Sequence, residues 1–244
     1  MFVLKDLTEI RELEIKNQRI EKLATVGTLA AGIAHEVRNP LSSIKGYVTY
    51  FGSLFEAGSE NRKAAELLTE EVDRVNRVIS ELLEFARPSD LRFKEIKVTD
   101  LIDHSIRIVT HEAEAANITL IKDIDPKLPT INADLDRLTQ VLLNLYINAI
   151  QSMKNGGKLQ VQAGQKGSTL IISVSDTGIG ISPEEQKHIF DPYFTTKGKG
   201  TGLGLAIAHK IVENHKGSIQ VTSTQNFGTT ISLTFPLKNE KGTI

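Results

Sequence analysis

The sequence predicts two unlike parts: an α helical hairpin that forms a dimeric four-helix bundle, then an α+β sandwich with a mixed β-sheet and helices on one face. Three observations lead there. Apolar residues recur at alternating three- and four-residue spacing on both sides of a Gly/Ser-containing break at residues 51–61. Arg87-Pro88-Ser89-Asp90 stops the second of these helices. Beyond it, short alternating runs interleave with amphipathic helices, a pattern that calls for a sheet covered by helices.

Residues 9–35 read as one helix, with Ile10, Leu13, Asn17, Ile20, Ala24, Gly27, Ala31 and Ala34 on a coiled-coil seam. Asn17 would fix register at a cost in stability. The helix is expected to continue to about Phe55. Gly52, Ser53, Gly58 and Ser59 supply a turn. A second helix follows over 60–87, with its seam at Leu68, Val72, Val75, Ile79, Leu82 and Ala86. One hairpin cannot bury both seams, whereas two hairpins can, so a homodimer is predicted.

After the break, Thr99–Ala116 reads as a helix opened by a Thr-Asp cap, and Ile118–Ile124 as a strand. Ala133–Met153 reads as a helix. Lys158–Ala163 and Thr169–Ser175 read as strands around a Gly164–Gly167 turn. Leu203–His215 reads as a helix ended by Gly217, and Ser218–Ser223 with Thr229–Phe235 as a closing hairpin. The expected divisions are 1–19 for an N-terminal coiled-coil linker, 20–87 for the hairpin, 88–93 for a hinge, 94–238 for the α+β domain and 239–244 for a tail.

Composition narrows the functional classes. Lys plus Arg number 29 and Asp plus Glu 30, so no nucleic-acid partner is expected. The absence of cysteine removes disulfides, zinc-thiolate sites and thiol nucleophiles. No apolar run approaches the roughly 20 residues of a membrane span, and Lys5, Asp6 and Glu9 interrupt any signal peptide. A cytoplasmic portion is expected, with room for a membrane anchor in a full-length protein.

Two segments carry the chemistry. In Ala34-His35-Glu36-Val37-Arg38-Asn39-Pro40, Glu36 could take a proton from one ring nitrogen of His35 and leave the other nucleophilic. His35 falls just beside the seam, where its imidazole is accessible. Asn39, four residues on, shares its helix face and could orient a water. Pro40 leaves the Glu36 carbonyl without its helical donor and should bend the helix. A histidine on a helix is commonly structural, and the chain has five others, so the neighbours carry this reading. Zincin chemistry fails, because its second histidine would fall where Asn39 stands.

The second segment is a glycine track from Asp176-Thr177-Gly178-Ile179-Gly180 to Gly198-Lys199-Gly200-Thr201-Gly202-Leu203-Gly204. Alternate glycines before an apolar helix leave amides for phosphate at a helix N-terminus, and Lys197 and Lys199 add charge. No Gly-Lys-Ser/Thr is present, which excludes a Walker loop. No βαβ context leads into the track, which excludes a dinucleotide fold. Phe190, Tyr193 and Phe194 between the boxes read as a hinged lid. Asn144 and Asn148 form an i, i+4 polar pair on an otherwise apolar helix and need partners, which Mg²⁺ and triphosphate oxygens would supply.

Together these segments resemble the cytoplasmic catalytic part of two-component sensor histidine kinases. Leu29 to Pro40 resembles the phosphoacceptor box and Asn144-Leu-Tyr-Ile-Asn148-Ala149 the asparagine box. Asp176 to Gly180 and Gly200 to Leu205 resemble the two glycine boxes, and Phe190-Asp-Pro192-Tyr-Phe194 the phenylalanine box. The phosphoacceptor box is also similar to that of sporulation-type kinases. The resemblance implies a dimeric phosphotransfer domain followed by an ATP-binding domain of the Hsp90/gyrase/MutL type. It implies His35 as phosphoacceptor, Glu36 as its base and Asn39 as the position linked to dephosphorylation of a response regulator receiver domain. It implies Asn148 as the Mg²⁺ ligand, Asp176 on the adenine amino group, and Lys197 near the phosphates. Gly178, Gly180, Gly200, Thr201, Gly202, Leu203 and Gly204 would shape the ATP pocket and lid. Asn144 replaces the glutamate of the hydrolytic relatives, so ATP would be kept for the histidine. Phe2–Glu9 resembles the end of a PAS domain, which implies an upstream PAS or membrane sensor domain. The helical domain would also offer a site for a protein inhibitor.

Overall fold

The computed structural model describes residues 36–86, 91–198 and 200–237. The predicted helix over 9–35, His35, the Arg87–Asp90 break, the PAS-like start and the tail lie outside the described residues. The chain divides into two compact units, Met1–Pro88 and Ser89–Ile244.

In the first unit α1 is described over 36–53 and continues through Pro40, and α2 spans Glu60–Ala86. Ser59 starts α2: its hydroxyl accepts from Arg62 N at 3.3 Å, which satisfies an amide the helix cannot. Gly52 lets the two helices close at the turn end, because a Cβ there would lie 2.9 Å from the Ala65 Cβ. Arg62 Nη1 donates to the Gly52 carbonyl at 3.0 Å, and Lys45 pairs with Asp73 across the seam. The single α2 seam read from sequence is in fact two. Ala65, Val72 and Ile79 are buried or half-buried on a stripe shared with Leu41, Val48 and Gly52 of α1. Leu68 (56% exposed) and Val75 lie on a second stripe, as do Ile44, Tyr47 (66%), Phe51 and Leu54 (63%). The 3/4 spacing could not separate two apolar faces on one helix.

The second unit contains β1 (Lys94–Lys97), α3 (Val98–Ala115), β2 (Ile118–Ile124), β3 (Thr130–Ala133), α4 (Leu135–Ser152), β4 (Gly157–Lys166), β5 (Thr169–Asp176), α5 (Pro183–Gln186), α6 (Gly204–Asn214), β6 (Ser218–Thr224) and β7 (Gly228–Pro236). The main sheet has the order β2-β4-β5-β7-β6. It is mixed, as expected: β2 runs parallel to β4, and every other neighbour pair is antiparallel. Helix α4 lies within the crossover that a parallel pair requires.

Strand alternation sends Leu159, Val161, Leu170, Ile172, Ile231 and Leu233 to one face, where α3, α4 and α6 cover them. Leu101, Ile102, Leu138, Leu142, Leu145 and Tyr146 complete this core, each such burial contributing about 1.5–3 kcal/mol. Burial also pushes the Tyr146 phenol up to about 12, with Ser105 opposing through a 3.4 Å contact. On the other face hydroxyls meet across strands, Ser173 with Ser232 at 3.0 Å and Ser175 with Thr230 at 2.9 Å.

Several expectations need correction. β4 runs on to Lys166 and β5 begins at Thr169, so Gly164 pairs with Ile171 inside the ladder and only Gly167-Ser168 turn, with Gly167 at φ +60. α3 starts at Val98 after an uncapped Lys97, so Thr99 and Asp100 sit inside the first turn rather than before it. β1 and β3 pair as a two-stranded ribbon not anticipated from sequence; each has a single isoleucine among four residues. α4 begins two residues later than predicted because Ala133 ends β3 and Asp134 is the cap, accepting from Arg137 N at 3.1 Å.

The start of α4 is fixed to the end of α6. The buried His215 accepts from Asp134 N through Nε2 at 3.0 Å and donates through Nδ1 to Ile211 O at 2.8 Å, which sets one neutral tautomer. His215→Leu strands the buried Asp134 amide and should cost about 1–3 kcal/mol of unfolding free energy. Urea melts of the domain check this; a midpoint equal to wild type rejects the clamp. Among the described residues no helix is long and apolar enough to cross a membrane.

Candidate nucleotide site

Asn144, Asn148 and Ser152 fall at successive i, i+4 positions on α4 and form one stripe beside the glycine segments. Each meets a different part of the domain. Asn144 Nδ2 donates to Gly204 O at 2.9 Å and ties α4 to the start of α6. Asn148 Oδ1 accepts from Lys197 Nζ at 3.0 Å, and the same ammonium reaches Gln151 Oε1 at 2.8 Å. Ser152 Oγ lies 3.1 Å from Asp176 Oδ1 and 2.8 Å from Ala149 O, between which it must share one proton. The partners that the two asparagines require therefore come from the chain itself.

Asp176 ends β5, and its Oδ1 accepts from Gly178 N at 2.8 Å. Gly178 has no room for a side chain, because a Cβ would run into Ser152. Gly180 holds φ +67 with its α-carbon against the Thr224 carbonyl, and Asn226 N donates to Ile179 O at 2.7 Å, so the β6–β7 turn braces this loop. Burial raises the Asp176 carboxyl above its ordinary value. Hydrogen bonds from Gly178, Ser152 and Thr229 and the Lys197 charge oppose that rise. Burial likewise lowers the Lys197 ammonium, and Asp176 opposes it.

A raised carboxyl has a defined sign in stability. Its contribution is fully present below the unfolded-state pKa near 3.8 and is lost as pH rises through the folded-state value. The melting temperature of Asp176→Asn minus that of wild type should therefore increase with pH across that window and level off above it. Paired thermal melts from pH 3 to pH 8 check this; a flat difference rejects the buried-charge cost.

The segment between the boxes leaves the core at Ile189 and returns at Leu203, both buried. Tyr193 holds φ +67, and its N donates to Gly202 O at 3.0 Å, which pinches the loop at its base. Gly202, at φ +69, packs on Tyr193 and Phe194 too closely for any side chain. Gly200 sits against Thr195 Oγ1, and Thr201 Oγ1 accepts from Leu203 N at 3.3 Å. Phe190 lies 5.3 Å from the His209 ring and Phe194 5.8 Å from His188. α6 begins without a side-chain cap, which leaves its first amides for an anion.

Of the predicted residues of the second unit, Asn144, Asn148, Asp176, Gly178, Lys197 and Gly204 meet along the α4 stripe, Gly180 packs on the β6–β7 turn, and Gly200, Thr201, Gly202 and Leu203 shape the loop that leads into α6; Lys199 lies outside the described residues. Glu36 and Asn39 are exposed on α1. Sequence reading missed Gln151 and Ser152. Continuing the Asn144–Asn148 stripe by another four residues would have found Ser152. The donor set fits Mg²⁺ chemistry: Asn148 Oδ1 and Gln151 Oε1 are neutral hard oxygens already holding a cation.

Fold and site define a two-layer nucleotide-binding domain attached to a helical hairpin. The family model described as "Histidine kinase-, DNA gyrase B-, and HSP90-like ATPase" matches residues 133–239, and "His Kinase A (phospho-acceptor) domain" matches residues 25–90. Sensor histidine kinase ZraS of Escherichia coli (strain K12) is 48% identical over 92% of this chain and 48% of that protein. Sporulation kinase E of Bacillus subtilis (strain 168) is 35% identical over 97% of this chain and 32% of that protein. Full-length ShkA in complex with AMPPNP superposes with a TM-score of 0.75 at 26% identity, covering 88% of this chain and 47% of that one. ThkA in complex with the response regulator TrrA does so with 0.68 at 29%, covering 98% and 70%.

The chain belongs to the two-component sensor histidine kinases and carries their phosphoacceptor and ATPase regions. It spans about half the length of the ZraS protein it matches.

Proposed function

We propose that the chain uses ATP to phosphorylate His35 and then passes the phosphoryl group to an aspartate of a response regulator. The observation that carries this is the convergence of Asn148, Lys197 and Asp176 beside the uncapped start of α6, in a chain whose other region matches the phosphoacceptor model. Asp176 accepts from the adenine amino group while Gly178 and Gly180 bring backbone against the base. The α6 amides and Lys197 take the phosphates. Mg²⁺ held by Asn148 would neutralise phosphate charge.

A ring nitrogen of His35 attacks the γ-phosphorus, the bond to the ADP oxygen breaks, and Glu36 takes the proton from the other ring nitrogen. In the second step a receiver carboxylate oxygen attacks the same phosphorus, Glu36 returns the proton to the other ring nitrogen, and the P–N bond breaks to leave neutral His35. Asn144 cannot act as a base and its amide is held by Gly204 O, so water is poorly activated. With γ-labelled ATP, the protein should acquire acid-labile, alkali-stable label that chases into a receiver domain. Alkali-labile label, or steady hydrolysis without label, rejects the reading.

The exposed apolar stripe on both helices supports a homodimer with a four-helix core. The domain limits 20–87 and 94–238 are proposed from the division of the chain at Pro88 and Ser89 and from the spans of the two family models. Relatives such as ZraS are longer, which supports an upstream sensor domain. A regulator phosphatase activity would use Asn39 to orient the hydrolytic water. Asn39→Ala should lower dephosphorylation of the phosphorylated regulator about 10²–10³-fold, the scale of a positioned polar group, while autophosphorylation changes little. Equal loss of both activities rejects this role.

A further inference from the structure

Lys197 does more in the structure than lie near a phosphate path. Its ammonium reaches back to α4 and bonds two carbonyl oxygens one turn apart, Asn148 Oδ1 at 3.0 Å and Gln151 Oε1 at 2.8 Å. Its backbone is equally constrained: Lys197 N donates to Thr195 Oγ1 at 3.1 Å, Thr195 Oγ1 donates to Lys197 O at 3.3 Å, and Gly200 N donates to Lys197 O at 3.1 Å. The loop is thus pinched at its base by Tyr193 and Gly202 and fastened near its tip to α4.

We propose that Lys197 is a latch: its ammonium occupies the oxygens of Asn148 and Gln151, holds the 194–198 segment against α4, and must leave them before Asn148 can serve a divalent cation. The proposal rests on the reading of Asn148 as the Mg²⁺ ligand and adds a gate to it. The competition is chemical. Both cations seek the same amide oxygen, and the desolvation of Lys197 offsets part of what its two bonds contribute. Asp176 attracts the ammonium through space but has Gly178 and Ser152 on its Oδ1, so it steadies the latch without being its anchor. Cation arrival and loop release are then one event. Gln151, whose side chain holds only the lysine among the described residues, is a positioning residue for the latched form.

Chymotryptic cleavage tests this on the full chain without added nucleotide. The cuts after Tyr193 and Phe194 are followed by mass spectrometry against the cut after Phe227, an 81% exposed residue in the β6–β7 turn. Lys197→Met should speed the loop cuts ~10-fold while the Phe227 cut is unchanged, as expected for loss of charged hydrogen bonds. Gln151→Leu should speed them less, and the double variant should match Lys197→Met alone. Loop cleavage at the wild-type rate in Lys197→Met overturns the latch, as does a double variant whose effect is the product of the two. Calorimetry with Mg²⁺-ADP separates the two levels. Binding with unchanged cleavage in Lys197→Met removes the latch and leaves the nucleotide reading; no binding to the wild-type chain removes both.

Discussion

His35→Gln should abolish transfer of label from ATP to the protein, by on the order of 10⁴–10⁶-fold, as removal of a protein nucleophile does elsewhere. Gln keeps a neutral polar side chain of comparable reach but has no ring nitrogen able to attack phosphorus. The residue lies in the region matched by the phosphoacceptor model, away from the ATPase match that contains Asn148, Lys197 and Asp176. Calorimetric affinity for Mg²⁺-ADP should therefore be unchanged. Loss of label with preserved binding is the expected pair of results. Label that persists in the variant means that another of the six histidines, or another residue type, accepts the phosphoryl group.

The second large effect is at Asn148. Asn148→Ala removes the amide oxygen that accepts from Lys197 and, in the proposed function, faces Mg²⁺. Asn148→Asp keeps the oxygen but adds a negative charge beside the phosphates and a strong partner for Lys197, which closes the site from within. Both variants should lose at least about 100-fold in Mg²⁺-ATP use, the scale on which metal sites respond to altered surroundings. Their folds should survive, since Asn148 is only half-buried and makes no bond to the sheet. Autophosphorylation rates at saturating Mg²⁺-ATP, with circular dichroism as the fold control, decide it. A wild-type rate in either variant removes Asn148 from the cation site.

Much of this molecule was legible because its signals are periodic. Ile118–Ile124 carries four apolar residues among seven, three of them β-branched, and is a strand over that span, and α4 declares itself through Leu138, Leu142 and Leu145. The glycine boxes were legible for a different reason. Gly178, Gly180 and Gly202 stand where a side chain would strike Ser152, Thr224 or Tyr193, so the residue type itself records a close approach. What stayed hidden depends on partners distant in sequence. The β1–β3 ribbon has too few residues for a pattern, and its pairing joins positions nearly forty apart. The His215–Asp134 clamp spans 81 residues. The anchoring of Lys197 on Gln151 spans 46, and neither residue is unusual in its local setting. The two stripes of α2 were merged because each obeys the same spacing.

The strand order has a consequence for how the protein is made. β7 is the last strand among the described residues, yet it lies inside the sheet, between β5 and β6. Until residues 228–236 leave the ribosome, β5 has one neighbour, β6 has none, and Ile172 and Val174 lack their cross-strand partners Leu233 and Ile231. The ATPase region therefore completes its sheet only once β7 has been made, and chains stopped before it expose the pairing edge and apolar face that recruit chaperones and proteases.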